Sequence, residues 1–276
     1  MIRRDFLKVA GVSAMAIAAQ GNLPLLARKP RGVSYSGLYT EAFDSRFVSP
    51  NAIAPVNGYL PQFTPVSAGS MQLAFQANYT LVRQYGQTKE LVSNNIDCGS
   101  LKLSFDGKQS RSEEVRHKKD EMDNIVKTVV DTRGPLHTAA SWTMESSVVS
   151  VPEVHYTEQG RWDGQRMLVK GRSFSLERET SGPLIDRWSL LPLLASGKVK
   201  QQDLKFDLLD ESTLRPNQLL RYMGEVTIPV AGGETSLDCY VQSGWGIVPT
   251  HYLVDQQGRV QLITMATVNW ALMDLS

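Results

Sequence analysis

Cysteine and histidine are scarce in this chain of 276 residues, with two of the first and four of the second. The two cysteines, Cys98 and Cys239, have no C-x-x-C spacing. They cannot build an iron–sulfur cluster or a four-cysteine zinc site. No two of His117, His137, His155 and His251 fall two or four residues apart, and H-E-x-x-H is absent. No metal motif and no cofactor motif is therefore expected, apart from a site assembled from several strands, which leaves no local signature. A basic surplus is lacking too: 29 Lys and Arg stand against 28 Asp and Glu. Nucleic-acid binders need such a surplus to pair with phosphates, so that class is set aside. Apolar runs long enough to span a membrane, about 20 residues, are also missing. So are a G-x-S-x-G elbow, an S-x-x-K with its partner motifs, and a glycine-rich phosphate loop after a strand.

What is present begins with MIRRDFLKVAGVSAMAIAAQ. Arg3 and Arg4 are followed in register by Phe6, Leu7 and Lys8, and then by a short, Ala-rich apolar stretch. This RR-x-F-L-K pattern resembles a twin-arginine (Tat) signal peptide, departing from it at Ile2, where that class carries Ser or Thr. The resemblance implies export of an already folded chain through the Tat translocase, to the periplasm or the exterior. Candidate cleavage points follow Ala18 and Ala27. Residues 1–27 are set aside from fold reasoning. They hold three basic residues and one acidic, so the remainder has a net charge of −1. An oxidising destination permits a disulfide. Cys98 shares an apolar phase with Ile96, and Cys239 with Leu237 and Val241. A Cys98–Cys239 core bridge and two inert buried thiols both satisfy that pattern.

Three parts are expected: the signal peptide (1–27), an extended proline-containing arm (28–70) and an antiparallel β domain (71–276). Pro50, Pro55, Pro61 and Pro65 punctuate the arm, and Phe43, Phe47, Tyr59 and Phe63 are placed to pin it to the body. From Met71 the texture changes. Met71, Leu73, Phe75, Ala77, Tyr79 and Leu81 share one phase, which marks a strand with one wet face. Leu101, Leu103 and Phe105 repeat it. Residues 108–123 are heavily charged and read as a solvated loop or short helix. QRMLVKGRSFSLERE reads as one strand bulged near Gly171. DRWSLLPLLASG reads as a short helix over the open end of a sheet. GEVTIPV–AGGE–TSLDCYVQ and THYLV–DQQG–RVQLITMATV read as hairpins. Pro229 suggests a sheet edge or bulge.

The fold class expected is mostly β: a single curved antiparallel sheet or half-barrel around an apolar interior, with one or two short helices. The stretch "LLPLLASG … LKFDLLDESTLRPNQLLRYMGEVTI … YLVDQQGRVQLITM" is similar to uncharacterised periplasmic β-proteins, and to the half-barrel that carries lipoproteins between bacterial membranes. That resemblance implies a curved sheet holding an apolar cavity.

Candidate chemistry lies in three places. Asp186 precedes Arg187-Trp188, and Asp210-Glu211 forms an acidic pair. Paired carboxylates can act as acid and base on glycans, although a helix cap and a turn explain the same residues. The third place is QSGWGIVPTHYLV. Glycines flank Trp245, and His251 and Tyr252 follow. Such an aromatic can stand at a pocket rim. Candidate ligand-binding residues are therefore Trp245, Tyr252, Tyr79, Phe75 and Leu103; candidate catalytic residues are His251, Asp186, Asp210 and Glu211. The expected function is an exported binding or carrier module for an apolar or amphipathic ligand or an envelope component. A glycan-acting hydrolase or lyase and an accessory subunit of an exported oxidoreductase are the alternatives. The balance leans away from an enzyme.

Overall fold

Two-residue alternation sets the architecture of the chain. In the computed structural model, which describes residues 52–82, 98–117, 123–265 and 268–276, it appears first in strand β1 (Phe75–Val82). Phe75, Ala77, Tyr79 and Leu81 are buried there, whereas Gln76 and Asn78 are exposed. This is the period a pleated strand imposes. Leu73 shares the phase but precedes the strand and is 81% exposed. The signal-peptide motif of Arg3, Arg4, Phe6, Leu7 and Lys8 lies outside the described residues.

Antiparallel pairing runs from β1 to β2 (Gly99–Phe105), β3 (Gln109–Arg116), β4 (Asn124–Arg133) and β5 (Thr138–Val148). On its other edge β1 pairs with β15 (Val268–Leu275). A meander continues through β14 (Val260–Met265), β13 (Thr250–Val254), β12 (Gly233–Ser243), β11 (Thr213–Val230) and β10 (Leu204–Asp210). The short strand β9 (Leu184–Asp186) lies parallel to β10 and meets β5 at Thr138 and Ile185. Twelve strands thereby close into a ring. Strands β6 (His155–Trp162), β7 (Arg166–Gly171) and β8 (Ser175–Glu179) extend from β5 as a side flap.

Among the described residues the protein is thus a closed β-barrel with extra strands and almost no helix, not the expected open curved sheet or half-barrel. Both edges that would remain open are joined, by β4 pairing with β5 and by β9 completing the circuit. A three-residue parallel strand has no readable period, which is why closure escapes the sequence. Two further expectations are corrected. The charged stretch after Lys108 is strand β3, with Ser110, Ser112 and Glu114 buried on its inner face. The segment around Gly171 is two strands, β7 and β8, rather than one bulged strand.

The barrel is filled. Helix α1 (Leu190–Ala195), the sequence LLPLLA, has all six residues buried. It packs in one cluster with Phe75, Tyr79, Leu103, Tyr252 and Trp270. An element apolar on every side must be surrounded by core. Asp186 starts it: Oδ2 accepts from the backbone N–H groups of Trp188 (3.1 Å) and Ser189 (3.2 Å).

The arm forms a second core on the other face of the strands. Ala52, Val56, Leu60 and Phe63 pack with Ile228, Leu237, Val241 and Leu253. Gln261 ties the arm down, accepting from Val66 N at 3.0 Å and donating to Val66 O at 2.8 Å. With arm outside and helix inside, β13 is buried along its whole length. Cys239 belongs to the arm-side core, while the next residue, Tyr240, points into the lumen. Cys98 packs against the lumenal cluster. The two are not bonded to each other, and the sheet runs between their cores.

A third cluster joins the flap to β9 and β10 through Trp142, Met167, Val169, Leu184 and Leu209. Gly160 faces the Trp142 indole so closely that a Cβ there would lie 2.0 Å from the ring. Gly160→Ala must push the indole away and break its bond to Ser212 Oγ (3.3 Å). A loss of about 1–3 kcal/mol is expected, read as a lower Tm by circular dichroism.

Candidate functional site

At the end of the barrel where β10 stops and β11 starts, three loops converge on a cavity of about 190 Å³. Its walls are apolar: Leu208, Ile247, Val248, Met265 and Val268. Its polar groups are Arg187, Asp210, Gln242 and Thr250. Arg187 follows β9 directly, and Asp210 ends β10, so the parallel β9–β10 pair sets them side by side. Arg187 Nη2 lies 2.5 Å from Asp210 Oδ1, and Arg215 Nε lies 3.4 Å from Asp210 Oδ2. The Arg187 side chain is only 19% exposed, and its guanidinium sits 5.7 Å from the centroid of the Trp188 ring. Burial alone would lower the guanidinium pKa, but Asp210, Glu114, Tyr252 and Glu211 together hold it above its ordinary value.

Behind this pair is a second, smaller space of about 10 Å³, bordered by Ser112, Glu114, Thr128, Asp186 and Glu211. That is room for about one water. Glu114 is ion-paired to Arg116. Glu211 sits in the β10–β11 turn at φ 58°, a left-handed conformation that costs a non-glycine residue roughly 1–3 kcal/mol. Burial, then the neighbouring Asp210 and Glu114, push its carboxyl pKa up. Burial pushes Asp186 up to about 6, against the pull of its hydrogen bonds from Ser189 and Trp188.

A hydrogen-bonded relay holds the loop over the cavity. Tyr252 Oη donates to Gln242 Oε1 (2.8 Å), and Gln242 Nε2 donates to Gln218 Oε1 (3.3 Å). Gln218 Nε2 then donates to the Trp245 carbonyl (3.1 Å). Gly244 and Gly246 let the loop lie against Gln218 and Arg215: a Cβ at Gly244 would meet the Gln218 amide at 2.5 Å. Trp245 and Val248 stand out at the tip, 46% and 55% exposed.

The structure thus brings Asp186, Asp210 and Glu211 into one cluster. It does not bring His251 there. On β13, Tyr252 faces the lumen, so His251 faces outward beneath the arm, across from Val241 and Thr264. Phe75, Tyr79 and Leu103 pack in the lumenal core and line neither cavity. Tyr79 Oη donates to Val260 O at 2.9 Å. The sequence pattern assigns no candidate role to Arg187 or Arg215; the one local signal is an arginine set between acidic Asp186 and aromatic Trp188. His117 pairs with Asp123 (2.9 Å) and His155 with Glu145 (2.8 Å). Among the described residues, no three His, Cys, Asp or Glu side chains are grouped to hold a metal ion.

Asp186 and His251 pull stability in opposite directions with pH. The folded state favours neutral Asp186, so its contribution is full below the ordinary value of 3.8 and is lost as pH rises through about 6. Burial lowers the His251 pKa to about 4 from 6.5, so its contribution is full above 6.5 and is lost as pH falls to about 4. Between pH 4 and 6 the two largely cancel. Asp186→Asn keeps the acceptor for α1 but removes the first contribution. Relative to wild type, that variant should gain up to about 3 kcal/mol between pH 4 and 7. Urea unfolding at intervals across this range checks it; a constant difference would show that Asp186 does not titrate there.

No family model matches the chain, and no curated protein matches it. Among solved structures it is similar to the crystal structure of a beta-barrel-like protein of domain of unknown function DUF1849 from Brucella abortus. Identity is 10%, over 74% of this chain and 98% of that chain, with a TM-score of 0.49. The closed barrel described above follows from this chain's own strand pairing.

Proposed function

We propose that this protein is a binding module for a small amphipathic ligand, held at the β10–β11 end of the barrel rather than in the lumen. The observation that carries this is the cavity of about 190 Å³ with an apolar wall and the Arg187–Asp210 pair at its floor. Small-molecule sites have this character: mostly apolar, with a few convergent polar groups. The lumen is unsuited because α1 fills it. The loop through Trp245 and Val248 has the exposure to admit a ligand. Export through the Tat route belongs to the same proposal and rests on the RRDFLK motif.

A glycan hydrolase would use the same carboxylates, but the space beside Glu211 and Asp186 is about 10 Å³, far below a sugar ring. The test is native mass spectrometry of the protein purified from its own host cells, with a denatured sample as reference. A mass excess that disappears on denaturing, and is absent in a cavity-filling Val268→Phe variant, supports the binding reading. An excess that persists in Val268→Phe, or none in wild type, overturns it.

A further inference from the structure

The cavity at the β10–β11 end is roofed. Leu208, Gln242 and Thr250 line it, yet Leu208 is 1% exposed and the other two are also buried. A ligand reaches them only if a wall moves. Leu208, Gln242, Met265 and Val268 belong to strands, which cannot swing aside without breaking ladder hydrogen bonds. Gly246, Ile247 and Val248 belong to the β12–β13 loop, residues 244–249, which has no ladder partner among the described residues. Gln218 holds that loop. Its Nε2 donates to the Trp245 carbonyl (3.1 Å) and to the Pro216 carbonyl (3.0 Å), and its Oε1 accepts from Gln242. The amide is aimed by a bulge, because pairing passes from Phe206 opposite Gln218 to Leu208 opposite Arg215. Asn217 in the bulge is strained at φ 55°. Buried Asp207 pins it there, accepting from Asn217 N (2.8 Å) and Ser181 N (2.6 Å). The strained bulge thus holds one amide against the loop.

We infer that residues 244–248 are a gate on the cavity and that Gln218 is its latch, so that a ligand enters and leaves when the bond to the Trp245 carbonyl breaks. This rests on the proposed binding function and adds how that site opens. Gly244 and Gly246 flank Trp245, and Gly246 sits at φ 75°. The backbone can therefore change direction on both sides of the latched carbonyl. The Trp245 and Val248 side chains are already exposed, so swinging the loop outward takes little of their surface out of the core. Opening gives up the Gln218 bond and the packing of half-buried Ile247 on the lumenal cluster. Both are local, and local opening needs far less free energy than unfolding of the barrel.

Thiol labelling of the full chain tests the latch without any ligand. Leu208→Cys places a thiol on the roofed cavity wall. Cys239, fully buried in the arm-side core, reports opening of the barrel itself. Iodoacetamide labels both thiols, and peptide mass spectrometry reads the two rates separately. Adding Gln218→Met, which keeps the length and removes the amide, should speed labelling of the Leu208→Cys thiol about tenfold, the worth of one buried hydrogen bond. The Cys239 rate should not change. Gly244→Ala should act in the same way, because its Cβ would meet the Gln218 amide at 2.5 Å and push it off the carbonyl. An unchanged Leu208→Cys rate in both variants overturns the latch and leaves the binding cavity standing. So does a parallel rise at Cys239, which would mean that Gln218 holds the barrel rather than the loop. No mass excess in the native spectrum of the wild type overturns the binding reading, and the gate with it.

Discussion

Leu191→Ala should cost about 2–5 kcal/mol of stability, and Leu191→Asp should leave no folded protein. The argument starts from the composition of α1. Six consecutive residues, LLPLLA, carry no polar side chain and are all buried. Leu191 itself is fully buried. Truncation removes its apolar contacts and leaves a cavity that barrel strands, fixed by hydrogen bonds on both edges, cannot collapse to fill. An aspartate at the same place would be a carboxylate with no counter-ion in the cluster around Phe75, Tyr79 and Trp270. Leu73→Ala is the control: Leu73 is 81% exposed, and its loss should fall within about 0.5 kcal/mol. Urea unfolding followed by tryptophan fluorescence reads all three. A cost below about 1 kcal/mol for Leu191→Ala would mean that α1 does not hold the barrel together.

The sequence pattern locates elements well where a strand has one wet and one dry face. β1 and β2 are read from alternation alone, and the β11–β12 and β13–β14 hairpins from their Gly-containing turns. Pattern fails where the environment is not simply dry or wet. The inner face of β3 is Ser110, Ser112 and Glu114, which reads as exposed because those residues face a polar end of the barrel. β9 is too short to have a period, and with it goes the closure of the ring. The candidate site is split in the same way. Asp186, Asp210 and Glu211 stand out in sequence because acidic residues beside aromatics or beside each other suggest chemistry. Their common location depends on a parallel β9–β10 pairing, which no local signal announces. His251 and Tyr252 are adjacent in sequence and therefore face opposite sides of β13, so proximity along the chain works against a shared site.

Asp210→Ala should be as damaging as a core deletion, costing about 3–5 kcal/mol. Surface ion pairs are worth little, because water screens them and both partners stay solvated without each other. The Arg187–Asp210 pair is different: side-chain exposures are 19% and 14%, and the contact is 2.5 Å. Removing the carboxylate strands the Arg187 guanidinium in the wall of the cavity, with Trp188 and apolar Leu208 as its neighbours. It also releases Arg215, which lies against the loop at Gly246. The penalty thus measures an uncompensated charge rather than the worth of the pair, and this makes a second comparison decisive. Arg187→Gln/Asp210→Asn, lacking both charges, should recover most of the loss, because it leaves no unpaired charge behind. If Asp210→Ala cost no more than an exposed pair, about 1 kcal/mol or less, the pair would be solvated rather than buried. Stability of these two variants therefore tests the electrostatics of the site without any ligand.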